Sequence, residues 1–142
     1  MEIISKEIIL ENYKRGFNLI TDEIINSLPE IRNIKNGILF LFIKHTSASL
    51  TINENCDYTV SEDLESYFTN SIKEDNTIYK HNLEGSDDMP AHIKSTLIGN
   101  NIHVPIIDGK LNLGTWQGIY LCEHRNKKST RTINASLLGN QY

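Results

Sequence analysis

The chain is poor in the residues that staple or punctuate small proteins. It has two cysteines, Cys56 and Cys122, and three prolines in 142 residues. Two distant cysteines exclude a CxxC zinc or redox motif and a disulfide scaffold. Each thiol reads as a small apolar side chain rather than a nucleophile. Long hydrophobic runs are lacking too. The longest, Ile38-Leu39-Phe40-Leu41-Phe42-Ile43, is far below the ~20 residues needed to span a bilayer. Residues 1–10 interleave Glu2, Lys6 and Glu7 with isoleucines, which is not the core of a signal peptide. Basic charge is in deficit, with 14 Lys and Arg against 18 Asp and Glu and a net charge of -4. A general nucleic-acid binder carries the opposite balance. P-loop, GxGxxG and GxSxG motifs are absent, which removes support for those nucleotide and hydrolase classes. The expectation is a cytoplasmic protein that binds neither nucleic acid nor membrane.

What is present describes one globular domain over residues 1–142. Hydrophobic residues make up 39% and charged residues 23%, enough for a packed core and too apolar for disorder. Ile3, Ile4, Ile8, Ile9 and Leu10 predict a strand over 2–10. Thr21, as an N-cap, and Ile24, Ile25, Leu28, Ile31 and Ile34 predict a helix over about 22–34, kinked or stopped early by Pro29. Residues 38–43 predict a central strand. Thr51 and Ile52 predict another strand, leaving a turn at His45–Ser49. Val60, Leu64 and Phe68 predict a helix from Asp57 to Phe68. A loop at 70–76 and a short extended piece at 78–81 follow. Asp87-Asp88-Met89-Pro90 reads as a capped helix start, with Gly99 as its stop. Ile102, Val104 and Ile106 alternate, Asp108-Gly109 is a hairpin turn, and alternation resumes through Leu111, Leu113, Ile119 and Leu121. After a polar turn at Arg125–Lys128, a last strand covers 132–138. The predicted class is α+β, with a mainly antiparallel sheet, a C-terminal meander and two to three helices.

Three of the five histidines sit at element ends, where binding groups collect. His45 enters the hydroxyl-rich turn Thr46-Ser47-Ala48-Ser49, His81 follows the short extended piece, and His92 lies in the first turns of a helix. His81 and His92 flank Asp87 and Asp88, and imidazole with carboxylate suits zinc and related divalent ions. The spacing matches no named metal motif, and helix capping is an equal reading of the two aspartates. Gly114-Thr115-Trp116-Gln117-Gly118 places the only tryptophan between glycines inside a strand pattern, which marks a bulge or a close approach. Glu54, in Asn53-Glu54-Asn55, serves as a base, a ligand or part of a helix cap.

These residues together resemble a known family. His45-Thr46-Ser47-Ala48, Asn53-Glu54-Asn55 with Asp57, Tyr79-Lys80-His81, Ala91-His92-Ile93-Lys94, Val104-Pro105-Ile106 with Gly109, Leu113-Gly114-Thr115-Trp116-Gln117 and Arg131 occur in the order of the YjbQ-like family. The likeness runs from about residue 3 to Gly139. Members are often described as secondary thiamine-phosphate synthases or left without a function. The resemblance implies a compact α+β subunit, a homotrimer, and a site near the histidines with a divalent metal (zinc, magnesium or manganese). It implies His45, Glu54, His92 and Arg131 as catalytic, and Thr46, Ser47, Lys94, Trp116 and Gln117 as substrate-binding. His45, His81 and His92 are the implied metal ligands. Trp116 and Gln117 are expected beside a subunit interface.

Three functions follow as expectations. The first is coupling of a pyrimidine diphosphate to a thiazole phosphate, with metal or Arg stabilising the departing diphosphate. The second is metal-dependent hydrolysis of a small phosphorylated metabolite. The third is a non-enzymatic trimer that binds a metal or small ligand.

Overall fold

The computed structural model describes all 142 residues. Alternation builds the larger sheet. Strand β1 (Glu2–Tyr13) turns Ile8 and Leu10 inward and Ile3 and Ile9 outward. Strand β3 (Ile34–Ile43) buries Leu39, Leu41 and Ile43 and leaves Ile38, Phe40 and Phe42 partly exposed. Its run of six apolar residues is therefore a two-sided strand, as a period of two requires. Strand β5 (Asn101–Ile107) buries Val104 and Ile106, and β8 (Ser129–Gln141) buries Ile133, Ala135 and Leu137. With β6 (Lys110–Leu111) these form a five-stranded sheet in the order β1-β8-β3-β5-β6.

A second sheet has three strands in the order β2 (Gly16–Leu19), β7 (Gln117–Glu123) and β4 (Ala48–Glu54), and packs its inner face on the first. Ala48, Leu50, Ile119 and Leu121 join the inward residues of the large sheet in one core. Burying each such Leu or Ile contributes about 1.5–3 kcal/mol. Every ladder is antiparallel. Helices α2 (Tyr58–Ser71) and α3 (Asp88–Ile98) cover the other face of the small sheet, α2 on β2 and α3 on β4. No helix is long and apolar enough to cross a membrane.

The class is α+β, as expected, but several elements differ from the sequence reading. Helix α1 spans only Thr21–Ser27, and a 3-10 turn at Pro29–Asn33 follows, so Pro29 stops the helix rather than kinking it. Thr21 is not the cap; its hydroxyl accepts the Ile119 N–H. Strand β2 was not foreseen, and β4 begins at Ala48 inside the expected turn. The piece at 78–81 is turn and irregular chain rather than strand. The C-terminal strands do not form one meander: β5 and β6 make a hairpin, β7 crosses to the small sheet, and β8 returns between β1 and β3. Cys122 is buried, and burial pushes its thiol pKa up, whereas Cys56 is exposed.

Candidate functional site

Helix α3 presents Asp88, His92, Ser95, Thr96 and Gly99 at intervals of three and four, which places them along one helical face. Asp88 and His92 belong to the first turns, and His81 reaches them from the connection between α2 and α3. The Asp88 Oδ2 atom lies 2.6 Å from His81 Nε2 and 3.4 Å from His92 Nε2. The two imidazoles meet edge to face with centroids 5.3 Å apart. One ligand atom from each of the three residues falls within 4.8 Å of the others.

The surroundings orient this group. His92 Nδ1–H donates to the Thr46 carbonyl at 2.8 Å, so in the neutral ring the Nε2 lone pair faces the cluster. Metal-binding histidines are commonly held through such a hydrogen bond to their other nitrogen. The Asp88 side chain is 2% exposed. Burial alone would raise its carboxyl, but the His81 hydrogen bond and the Arg125 charge outweigh that and hold it below the usual value. Arg125 donates through Nη1 to Asp88 Oδ1 at 2.7 Å and through Nε to Asp87 Oδ2 at 2.9 Å. Asp87 therefore anchors Arg125. It occupies the N-cap position, but its side chain makes no capping hydrogen bond, so capping does not explain the two aspartates.

His92 also lines a polar pocket of about 430 Å³ with His45, Thr46, Ser95, Thr96, Gly99 and Asn100. No hydrophobic residue lines it. The Ser95 hydroxyl donates to the Ala48 carbonyl and the Thr96 hydroxyl to the His92 carbonyl, which leaves their oxygens free to accept. His45 Nε2 accepts the Thr132 N–H at 2.8 Å, so Nδ1 carries the proton of the neutral ring. Burial first, and then the Arg131 charge, push the His45 pKa below its ordinary value. His45 thus faces the pocket as a hydrogen-bond donor.

Of the residues expected at the site, the structure gathers some and disperses others. His81 and His92 converge with Asp88, whereas His45 is not in this ligand group and has committed its Nε2 to backbone. Thr46 lies on the pocket wall. Ser47 and Arg131 lie beneath it in the interior. Arg131 forms a two-pronged pair with buried Glu123, at 2.7 Å from Nε and 2.6 Å from Nη2, and also donates to the Ser47 hydroxyl at 3.0 Å. That geometry makes Arg131 a structural ion pair rather than a substrate contact. Lys94 is 1% exposed, and its Nζ has no hydrogen-bond partner. It points away from solvent, which removes it from a substrate-contacting role in this chain.

Glu54, Trp116 and Gln117 belong to the opposite end of the small sheet. Glu54 pairs with Gln117, whereas Ala48 pairs with Glu123. Six strand steps at ~3.4 Å each separate the ends by roughly 20 Å. The Glu54 Oε2 atom is buried without a partner. Gln117 closes its own turn: Oε1 accepts the Gly114 N–H at 2.8 Å, and the Gln117 N–H donates back to the Gly114 carbonyl at 3.0 Å. Asn55 pins this turn through Nδ2 to the Thr115 and Gln117 carbonyls, while its N–H bonds the Trp116 carbonyl. The Gly-Thr-Trp-Gln segment is accordingly a locked turn, with Trp116 62% exposed at its tip. Sequence reasoning missed Arg125, which it placed in a polar turn, and left Asp88 between cap and ligand.

The family description "UPF0047 protein YjbQ-like" matches residues 6–140. The chain belongs to the YjbQ-like family. It is 48% identical to the UPF0047 protein YjbQ of Escherichia coli O157:H7 over 134 residues, covering 94% of this chain and 96% of that one. It is 38% identical to YugU of Bacillus subtilis strain 168, covering 84% and 87% of the two chains. A YbjQ-like protein of unknown function from Sulfolobus solfataricus P2 shares the fold at a TM-score of 0.82 and 29% identity, covering 98% of this chain and 99% of that one. A YjbQ/UPF0047 family protein from Clostridium acetobutylicum, solved at 1.31 Å, superposes at a TM-score of 0.81 with 33% identity, covering 94% and 99%.

Proposed function

We propose that this YjbQ-like chain is a metal-assisted enzyme acting on a small phosphorylated metabolite. The observation that carries the reading is the His81–Asp88–His92 group, opening through His92 onto a pocket that no hydrophobic residue lines. Two imidazoles and one carboxylate suit zinc or manganese better than magnesium, which favours all-oxygen surroundings. When bound, the metal supplies Lewis-acid stabilisation of charge on a phosphoryl oxygen. The chain's own residues do the rest. His45 Nδ1–H, the Thr46 hydroxyl and the Asn100 amide offer hydrogen bonds to an oxyanion. The buried Asp88 keeps the two histidines turned toward each other.

Hydrolysis of a phosphorylated metabolite needs, beside these parts, only water as the attacking group, with the alcohol of the metabolite leaving. Thiamine-phosphate coupling is the narrower reading, carried by the family resemblance. It needs an aromatic surface for the heterocycle, and Trp116 would have to supply it from a neighbouring subunit. The chain as a homotrimer meets that need in principle, and we propose the trimer as the assembled form.

Zinc and manganese titrations of the wild type, His92→Ala and Asp88→Asn test the metal. The expected outcome is tight binding by the wild type and at least a tenfold loss in each variant. Equal, weak affinity in all three proteins would remove the metal. Turnover of the pyrimidine diphosphate and thiazole phosphate, set beside a panel of phosphorylated metabolites, separates coupling from hydrolysis. Metal binding with no turnover of either would leave a non-enzymatic binding protein.

A further inference from the structure

The connection between α2 and α3 brings His81 to the site without helix or strand over residues 72–87; turn hydrogen bonds such as Tyr79 Oη–H to the Lys73 carbonyl and Asn82 Nδ2–H to the Tyr79 carbonyl shape it from within. What ties its end to the start of α3 comes from beyond β7. Arg125 spreads its guanidinium over three acceptors, Asp88 Oδ1 at 2.7 Å, Asp87 Oδ2 at 2.9 Å and the Glu84 carbonyl at 2.9 Å. The first fixes which Asp88 oxygen is left for the histidines. The second fixes the approach to α3. The third holds the segment three residues after His81. Arg125 is itself anchored, since its backbone N–H donates to Glu123 Oε2 at 3.2 Å, and Glu123 is the carboxylate that Arg131 clamps from the interior.

We infer that Arg125 is the positioning residue of the metal centre: its fork sets the Asp88 carboxylate and the His81-bearing segment in ligating geometry. This rests on the metal reading above. A planar fork with several fixed donors can hold three acceptors at once, which a lysine ammonium on a flexible stem does not reproduce. Arg125 touches neither a ligand nitrogen nor the pocket lining, so it acts through Asp88 and the backbone. The neighbouring Asp87 carboxylate takes part by keeping the fork level, without facing the histidines.

The experiment measures Zn²⁺ affinity by chelator competition and the visible spectrum of the Co²⁺-loaded protein. It compares the wild type, Asp88→Asn, Arg125→Gln and Arg125→Lys, each checked for folding by circular dichroism. Wild-type binding that Asp88→Asn weakens establishes the centre. Arg125→Gln is then expected to lose 10–100-fold in affinity, the range for loss of a group that orients a ligand. Its Co²⁺ spectrum should change because the donor set is rearranged. Arg125→Lys keeps the charge and should recover only a small part of the loss. A merely structural role would lower stability while leaving the affinity and spectrum of the folded fraction intact, and that result overturns the inference. Full recovery by Arg125→Lys also overturns it, because charge alone would then suffice. If Arg125→Gln fails to fold, Arg125→Lys alone decides, with wild-type affinity and spectrum overturning the inference and loss of both supporting it. If the wild type binds no metal, the functional reading falls and takes this inference with it.

Discussion

His124 shows how much a single side chain can carry unseen. It lies on the helix-covered side of the small sheet, 1% exposed, with Nε2 2.9 Å from the Ser49 hydroxyl and Nδ1 without a partner. Burial first, and then the charges of Lys94, Arg131 and Arg15, push its pKa down to about 3. In the unfolded chain the same group titrates near ~6.5. Between those values the unfolded state binds a proton that the folded state refuses. Stability therefore rises with pH through that window and falls as pH drops below ~6.5. At pH 5 the penalty from this residue alone is about 2 kcal/mol, at ~1.4 kcal/mol for each pH interval. His124→Gln cannot titrate. Urea unfolding of both proteins at pH 7 and pH 5 should show a smaller acid loss in the variant, and equal losses would remove His124 from the account. None of this was legible in the sequence. Burial sets the behaviour of His124, and burial comes from elements far away in the chain. The partner of Arg131 was hidden for the same reason, since only the fold brings Glu123 into bidentate contact with it. The pair His81 and His92 was legible because a short connection joins them and the intervening aspartates suggested a cation.

Elements were read well where a local period decides them and poorly where pairing does. The apolar content of β1 and β3, the alternation of β5, the four-residue repeat of α2 and the Gly99 stop of α3 are all written in short windows of sequence. Strand β2 has four residues, too few for a period to emerge, and the crossing of β7 into the second sheet depends on long-range partners. The Asp108-Gly109 hairpin is the clearest local success. Both residues adopt positive φ, 49° and 74°, as a two-residue turn of this kind requires. The turn also docks on the start of β3: the Asp108 and Gly109 N–H groups donate to the Lys35 and Ile34 carbonyls at 2.7 and 2.9 Å. A Cβ on Gly109 would stand 2.8 Å from the Arg32 carbonyl oxygen. Gly109→Ala should therefore destabilise the protein by more than the ~1–2 kcal/mol of left-handed strain alone. Chemical denaturation measures it, and a change below ~0.5 kcal/mol would show that the turn relaxes into another form.

At the scale of the molecule, the large sheet is covered on one face only. Register places Ile3, Leu138, Ile38 and Pro105 in one row across its outer face, and Ser5, Ser136, Phe40 and His103 in the next. Ile38, Phe40 and Phe42 remain 36%, 44% and 46% exposed, a contiguous apolar strip of the kind that marks an association surface. The small sheet has no such face, because α2 and α3 cover it. Packing three copies of the strip about a three-fold axis would bury these side chains and close the assembly, as a cyclic oligomer must. Trp116 offers a rival contact at the far end of the small sheet, where the sequence reading put the interface. Light scattering of the wild type should give three times the chain mass at micromolar concentration, and a monomeric mass would dispose of the trimer. Phe40→Glu places a charge at the centre of the strip on a residue already half in solvent, so the subunit should stay folded and fall to a monomer. Trp116→Ala should keep the trimer. The opposite pattern, with Trp116→Ala dissociating and Phe40→Glu intact, would move the interface to the locked turn and bring Glu54 and Gln117 to a subunit boundary.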